Sequence, residues 1–442
     1  MAPRSGHVAP VAAFHERMKK GFYTIMAAQF FSSLADNALF VAAVELLKSS
    51  GEPEWQGAAL VPMFALFYVL LAPFVGAIAD AKPKGRVMFF SNLIKVAGCL
   101  MMLFGGHPLM SYAIVGLGAA AYSPAKYGIL TELLPNSQLV QANGWIEGLT
   151  ILSIILGVLL GGQLVGHAVS SHLLALDVPF VDLGIDTPAE AAIASLVLLY
   201  ALAAAFNLRI PRTDTPLQPI AHSLPGLVRD FYHCNTRLWN DRLGQISLAT
   251  TTLFWGVSGN LRYIVLAWAA AALSYDTTEA SALVGVVALG TAVGAVVASL
   301  RMRLDQATTV IPLGVAMGLL VICMAAVSSV WVATPLLILL GGLGGYLVVP
   351  MNALLQHRGH NLMGAGHSIA VQNFNEQACI LGLGALYTGV TRLGLSAQVA
   401  MAIFGLLVAG SMWLIRRWHQ RNCVQHRDEV DRLLAIARSD TH

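Results

Sequence analysis

The sequence predicts an all-α membrane protein whose twelve spanning helices form two six-helix bundles. First, 57% of its 442 residues are hydrophobic, only 11% are charged, and the mean hydropathy is +0.68. This composition is typical of a chain that faces mostly lipid, and it excludes a soluble architecture. Second, apolar runs of roughly 20 residues, each long enough to cross the membrane as a helix, recur along the whole chain. Third, landmarks of the first half recur in the second.

The apolar runs divide the chain into five predicted segments. The predicted spans are residues 22–47, 56–80, 85–105, 108–133, 138–166, 189–208, 244–272, 279–300, 307–328, 331–355, 364–391 and 394–416. A polar stretch rich in Pro and Arg separates the sixth span from the seventh. The segments are therefore an N-terminus (1–21), a first bundle (22–208), a linker (209–243), a second bundle (244–417) and a tail (418–442).

Basic residues predict the orientation, because cytoplasmic loops retain Lys and Arg during insertion. Of the 26 basic residues, 21 fall on one side, Lys48 and Arg392 fall on the other, and three lie inside spans. Both termini are therefore predicted to be cytoplasmic. The first twenty residues contain no small-residue cleavage site, so we expect the first apolar run to remain as a helix. The near-neutral net charge of +3 argues against a nucleic-acid partner.

The two halves share three landmarks in the same order and at nearly constant separation. Such a repeat is expected when two bundles are related by an axis along the membrane normal. The matched pairs are Asn37 with Asn260, Pro124 with Pro350, and Glu147 with Glu376.

Six ionisable residues lie inside predicted spans. A charge at the bilayer centre costs at least about 2.5 kcal/mol, so each is expected to pair or to face a polar cavity. Three are acidic and three are basic, which favours mutual pairing when the cavity is empty. The six are Asp36, Lys95, Lys126, Glu147, Arg262 and Glu376.

Three of these residues and one amide form a predicted substrate site. Asp36 and Asn37 lie about 21 Å along the first span, near mid-membrane. A permanent charge on Asp36 needs a cation, which is predicted to be Lys126, Arg262 or a group on the substrate. Lys126 follows the mid-helix Pro124, and Arg262 has a fork of donors suited to a phosphate or carboxylate.

The other polar residues in the spans are predicted to pair or to gate. Lys95 is expected to brace the third span or to extend toward the membrane interface. Glu147 is a predicted pairing or gating carboxylate. In the eleventh span the polar side chains are all expected to face the cavity, because they are costly against lipid. These are Gln372, Asn373, Asn375 and Glu376.

The connection after the second span, GAIADAKPKGR, resembles the loop signature of the major facilitator superfamily. In that superfamily the Asp and the Arg lock the cytoplasmic helix ends together, which implies the same role for Asp80 and Arg86. Two extra residues separate Asp80 from Gly85. A plain positive-inside loop with an acidic helix end is the alternative interpretation.

Five segments extend the resemblance to the bacterial lysophospholipid transporters of that superfamily. The segments are AQFFSSLADNALF, GAAAYSPAKYGILTELL, LVQANGWIEG, LFWGVSGNLRY and VVPMNALLQHRG. The resemblance implies a protein of the bacterial inner membrane that moves lysophosphatidylethanolamine and lysophosphatidylglycerol inward by alternating access. It also implies headgroup contacts at Asp36, Asn37, Lys126 and Arg262.

The same resemblance implies that neither ATP nor an ion gradient drives transport. It further implies re-acylation of the product by an acyltransferase/acyl carrier protein synthetase, which is expected to be a separate protein. Membrane lipids are its surroundings, and the sequence predicts neither a cofactor nor a metal.

Three alternatives remain from the sequence. A proton-coupled exporter of an amphipathic solute or drug would use Asp36 as its protonatable group. A passive scramblase would be insensitive to Lys126. A membrane acyltransferase is suggested by two HxxxxD matches, which pair a general base with a carboxylate. They are His172 with Asp177 and His426 with Asp431. Neither match lies in a segment large enough for an acyl donor, so the protein is predicted not to be an enzyme.

Overall fold

The computed structural model describes residues 8–133, 136–175, 184–213, 217, 223–363 and 365–439, with the side chains at 8–19, 80, 130–132, 136–144, 147, 365, 366 and 439 outside this description. Within these residues all regular elements are helical. The α-helices are α1 (Val8–Ser49), α2 (Glu54–Ala81), α3 (Lys84–Leu103), α4 (Pro108–Leu133), α5 (Asn136–Val165), α6 (His167–Leu174), α7 (Pro188–Leu208), α8 (Leu224–Asn240), α9 (Gly244–Leu273), α10 (Thr277–Arg301), α11 (Ile311–Ala325), α12 (Val330–Met363), α13 (Ala365–Arg392), α14 (Ala397–Gln425) and α15 (Arg427–Ser439).

Each of the twelve predicted spans coincides with one long helix. A 3-10 turn, Leu304–Val310, extends α11 to the length of a span. Eight helices are long and apolar enough by themselves to cross a membrane over the described residues, and α2 qualifies as a bent pair. The remaining three, α4, α9 and α13, contain Lys126, Arg262 and Glu376, respectively. The three helices that fall short of this test therefore each carry an ionisable residue that the sequence predicts to lie inside a span.

Helix α2 bends by 63° between Leu70 and Ala72. Pro73 lies just after the bend. A proline inside a helix removes one backbone hydrogen bond, and its ring clashes with the preceding turn. The bend therefore follows from the sequence.

The helices pack in two groups. In the first half α1 packs against α4, α5 and α7, and α4 packs against α2 and α3. In the second half α10 packs against α12, α11 against α14, and α9 against α12, α13 and α14. Small residues allow close approach: a Cβ added at Gly294 of α10 would clash with the carbonyl oxygen of Gly342 in α12. The exact division at residues 209–243 stays a prediction.

The two halves contact each other through α2 with α13 and α5 with α10. Polar contacts join them at the distal end, the end formed by connections 50–53, 274–276 and 393–396. The Thr278 hydroxyl donates to the Gly162 carbonyl at 2.8 Å, and the Tyr263 hydroxyl donates to the Glu54 carbonyl at 2.9 Å. Lys48 donates to Thr277 at 3.2 Å. These hydrogen bonds therefore hold the two halves together at this end.

The linker forms helix α8 at the opposite end, the terminal end, where the chain termini lie. Leu238 is fully buried, whereas Leu224, Val228 and Tyr232 form an exposed apolar stripe at four-residue spacing. The Phe231 ring packs edge-on against Phe374 of α13, with 5.2 Å between ring centroids. The linker is therefore a packed element of the second half.

The tail also folds against the second half. Val430, Leu433 and Ala437 of α15 are buried. Arg438 reaches Asp305 in the 3-10 turn at 3.1 Å. The tail thus covers the connection between α10 and α11.

A buried ion pair anchors the start of α9. Arg358 donates to Asp241 through Nε at 3.1 Å and through a terminal nitrogen at 2.6 Å. The two side chains are only 7% and 8% exposed. The predicted tenth span ends at residue 355 and leaves Arg358 in a connection, but α12 continues to Met363 and Arg358 is buried.

Replacing Arg358 by Ala is expected to destabilise the second half by about 3–5 kcal/mol, because it leaves the Asp241 carboxylate buried without its partner. Denaturant titration of the purified protein in detergent measures the effect. The matched control is Arg427→Ala, since Arg427 pairs with Asp431 at 3.7 Å on an exposed face and should change stability very little. Equal losses in the two variants would contradict the assignment.

Candidate functional site

Asp36 lies in the middle of α1 with both carboxylate oxygens occupied. Oδ2 is 2.7 Å from Lys95 Nζ on α3, and Oδ1 accepts a hydrogen bond of 2.7 Å from the Tyr200 hydroxyl on α7. The side chain keeps 20% of its surface exposed. The cation beside Asp36 is therefore Lys95, and the predicted pairing with Lys126 or Arg262 is wrong for this conformation.

The Lys95 ammonium is buried among polar and aromatic side chains. Lys95 is 1% exposed and donates to the Ser32 hydroxyl at 2.9 Å. Ser32 in turn donates to Asn92 at 2.8 Å. The rings of Tyr122 and Tyr200 lie 5.3 and 5.5 Å from the ammonium, within cation–π range. Lys95 therefore braces α3 against α1, which is one of its two predicted roles.

Asn37 and Arg262 connect the two halves at the same depth. An Arg262 terminal nitrogen donates to Asn37 Oδ1 at 3.0 Å, and Nε donates to the Gly259 carbonyl at 3.3 Å. The guanidinium carbon lies 4.7 Å from the centre of the Phe40 ring. Asp36 lies within Coulombic range of Arg262. The structure thus brings three of the four predicted headgroup residues together.

Asn37 and Asn260, matched as repeat landmarks, make the same local contact. Asn37 Nδ2 donates to the Ser33 carbonyl four residues earlier at 2.8 Å, and Asn260 Nδ2 donates to the Gly256 carbonyl at 2.8 Å. They lie on α1 and α9, the first long helix of each half. The other landmark pairs fall on α4 with α12 and on α5 with α13, which are also equivalent helices.

Lys126 is the fourth predicted headgroup residue. It is 8% exposed, and its ammonium lies 4.3 Å from the centre of the Tyr127 ring. Pro124 lies half a turn earlier inside the same helix. The side chain of Glu147, a predicted partner, lies outside the described residues.

The polar side chains of α13 make contacts in two places, with α12 and with the linker helix α8. Gln372 donates to Glu376 at 2.8 Å and to Asn352 of α12 at 2.6 Å. Glu376 is 7% exposed, and Asn373 is half-buried. Glu376 therefore belongs to an amide-rich cluster within the second half.

Asn375 does not face a cavity, contrary to prediction. Its Nδ2 donates to Asn235 at 2.8 Å, and its Oδ1 accepts from the Trp239 indole at 3.1 Å. Both partners lie on the linker helix α8. The Trp239 ring is also stacked on Trp418 of α14 at 6.3 Å between centroids. Because a buried amide is stable beside any polar partner, polarity alone did not reveal which neighbour it has.

The superfamily-like loop lies at the terminal end. Arg86 is exposed and lines a cavity of about 400 Å³ together with Lys82, Lys84 and Arg212. The side chain of Asp80 lies outside the described residues, so the predicted lock stays a prediction. Among the described residues, no group of three His, Cys, Asp or Glu side chains is placed to hold a metal ion.

The fold and these contacts can be compared with known proteins. The sequence profile described as the Major Facilitator Superfamily matches residues 25–383. The chain belongs to this superfamily. The crystal structure of a bacterial homologue of the human lysosomal transporter Spinster, inward-facing and unoccupied, has a TM-score of 0.62 at 13% identity and covers 95% of each chain. The crystal structure of the nucleoside transporter NupG has a TM-score of 0.65 at 13% identity, covering 90% of this chain and 98% of that one. These two structures support the fold alone.

Curated relatives narrow the family further. The lysophospholipid transporter LplT of Photorhabdus laumondii is 37% identical over 92% of this superfamily member and 98% of the relative. The proteins of the same name from Cronobacter sakazakii and Yersinia pestis are 38% and 40% identical, covering 90% and 85% of this chain and 96% and 88% of those proteins. The predicted family resemblance is confirmed.

The contacts of Asn375 predict that Asn375→Ala loosens the linker helix. We expect a loss of about 0.5–1.5 kcal/mol, because Trp239 and Asn235 lose a partly buried hydrogen-bond partner. Limited trypsin digestion should then cut faster at Arg229 and Arg237 of α8. Asn373→Ala, two residues away, is the control and should leave the digestion pattern unchanged. An unchanged pattern in both variants would contradict the packing described for α8.

Proposed function

We propose that this protein moves lysophospholipids, including lysophosphatidylethanolamine and lysophosphatidylglycerol, from the outer to the inner leaflet of the bacterial inner membrane. The observation that carries the proposal is 37–40% identity with lysophospholipid transporters along most of the chain. The positive-inside distribution supports a cytoplasmic location for both termini and hence for the terminal end. Re-acylation by a separate acyltransferase/acyl carrier protein synthetase would consume the product.

The site suits a phospholipid headgroup. Arg262 presents a planar fork that fits phosphate oxygens, and Lys126 adds a second cation. Arg262 reaches Asn37 across the two halves at 3.0 Å. A phosphate bound to Arg262 would compete with this hydrogen bond, so binding would weaken a link between the halves. This competition supplies a physical reason for substrate to promote reorientation by alternating access.

The latched distal end supports a conformation closed to the outside. Glu45 and Lys48 of α1 bond to Thr277 of α10 across the halves. Arg392 lies over the Trp55 ring at 5.3 Å. Outward opening would require these contacts to break together.

Acyl transfer is not part of the proposal. In the second HxxxxD match, His426 ends α14 and Asp431 pairs with Arg427 at 3.7 Å. In the first, His172 lies on the short helix α6 and Asp177 lies outside the described residues. The described geometry offers no reason to assign a base and its carboxylate there.

Substitutions at the headgroup residues provide the main test. Asp36→Asn, Lys126→Ala and Arg262→Ala are each expected to lower lysophospholipid uptake into proteoliposomes by about tenfold or more, since each removes a charge-assisted contact or strands a buried charge. Labelled lysophosphatidylethanolamine is the probe, and gel filtration confirms folded protein. Arg416→Gln, at an exposed position of α14, is the control. Wild-type rates in all three variants would remove the site from the proposal.

Uptake into the same vesicles distinguishes facilitated transport from proton-coupled transport. Uptake should proceed without ATP and at equal rates with and without a proton gradient. Uptake that collapses without the gradient would favour the alternative of a proton-coupled transporter of amphipathic solutes.

A disulfide across the distal end tests alternating access. An ideal Cβ at Gly162 would lie 2.9 Å from Ser281 Cβ, shorter than the spacing of about 3.5–4.5 Å in disulfides, so cysteines at these positions can be bridged once the two helices move apart by about 1 Å. The double variant Gly162→Cys/Ser281→Cys should therefore form a disulfide on oxidation and stop uptake, and reductant should restore it. Ser281→Cys alone is the control for the native cysteines. Full uptake by the cross-linked protein would rule out opening at this end.

A further inference from the structure

Asp36 is already fully engaged before any substrate arrives. Its two oxygens are held by Lys95 and Tyr200, each at 2.7 Å. An ammonium on a substrate would therefore share the carboxylate with these partners, since each oxygen can accept a second hydrogen bond. Because the carboxylate remains one-fifth exposed, it is accessible, but its charge is compensated from within the protein.

Hydrogen bonds within the first half hold the Lys95 ammonium beside Asp36. The ammonium is fixed by Ser32 at 2.9 Å, and Ser32 is fixed by Asn92 at 2.8 Å. Ser32, Asn92 and Lys95 are at most 2% exposed. Moving the lysine would cost its hydrogen bonds and its contacts with two aromatic rings. The pair is a constant feature of the first half, whereas the Arg262 contact joins the halves and can change.

The pair controls the charge that a headgroup meets. The charged and titratable groups within contact or Coulombic range of Asp36 come from α2, α3, α4, α7 and α9. They are Tyr68, Lys95, Cys99, Tyr112, Tyr122, Tyr200 and Arg262. Among these Lys95 and Arg262 are the cations, and of the two it is Lys95 that touches the carboxylate.

We propose that Lys95 is a specificity-determining residue: by compensating Asp36, it lets one site accept both an anionic glycerol-type headgroup and a zwitterionic ethanolamine-type headgroup. This inference rests on the proposed function. Without Lys95 the Asp36 carboxylate keeps the Tyr200 hydrogen bond and the more distant Arg262 as compensation, and its charge would repel the net-anionic headgroup and attract the ammonium of the zwitterionic one. Lys95 acts through Asp36 and needs no contact with substrate.

The measurement is the ratio of lysophosphatidylethanolamine to lysophosphatidylglycerol uptake in proteoliposomes. Lys95→Gln should raise this ratio about tenfold. The reason is that the Asp36 carboxylate, without Lys95, favours the zwitterionic headgroup over the anionic one. Lys95→Arg keeps a cation and should stay closer to the wild-type ratio. A ratio, unlike a rate, is insensitive to the fraction of active protein.

A milder variant covers the case in which Lys95→Gln fails to fold. Tyr200→Phe frees only Oδ1 and should raise the ratio about threefold. Tyr122→Phe is its matched control, because the Tyr122 ring also flanks Lys95, whereas the hydroxyl that donates to Asp36 belongs to Tyr200. The neutral pair Asp36→Asn/Lys95→Gln should return the ratio toward the wild-type value.

The outcomes separate the two proposals. Failure of the wild-type protein to move either lipid would overturn the proposed function. Wild-type transport of both lipids, with unchanged ratios in Tyr200→Phe and in any folded Lys95→Gln, would overturn the role of Lys95 alone. A raised ratio in Tyr200→Phe but not in Tyr122→Phe supports it.

Discussion

A charge inside the membrane is stable only beside a compensating group, and this constraint organises the centre of the protein. The requirement is met in two different ways. Asp36 and Lys95 satisfy each other within the first half at 2.7 Å, so this pair can persist through any movement between the halves. Arg262 instead takes a neutral acceptor, Asn37, from the opposite half. A neutral partner leaves the guanidinium with most of its charge available to an anion.

The position of these two contacts connects electrostatics with motion. A permanent pair stiffens one bundle, whereas a weaker hydrogen bond across the bundles is an exchangeable link. Substrate can shift a conformational equilibrium only through a difference in affinity between states. A phosphate that replaces Asn37 on Arg262 would provide such a difference, because it removes a contact that exists only when the halves are close.

The two ends of the bundle are built differently. At the distal end the contacts between halves are hydrogen bonds, such as Thr278 to Gly162, and the contact of Arg392 with the Trp55 ring, and outward opening would require them to break together. At the terminal end α8 and α15 are attached to the second half through a buried ion pair, Asp241 with Arg358, and through stacked tryptophans. These surface helices therefore enlarge one rigid body, and the opening of the terminal end is left to movement between the halves.

The sequence by itself determined the class of fold and the inventory of buried charges. Apolar run length sets helix count, because membrane thickness is a fixed physical dimension, and family motifs predict headgroup contacts at Asp36, Asn37, Lys126 and Arg262. Tertiary structure alone decided the partners. Lys95 rather than Arg262 neutralises Asp36, Asn375 turns to the linker rather than the cavity, and Arg358 is enclosed rather than in an open loop. A side chain's polarity states that it needs a partner, but several helices can supply one, and only the rotation and packing of the helices determine which partner it meets.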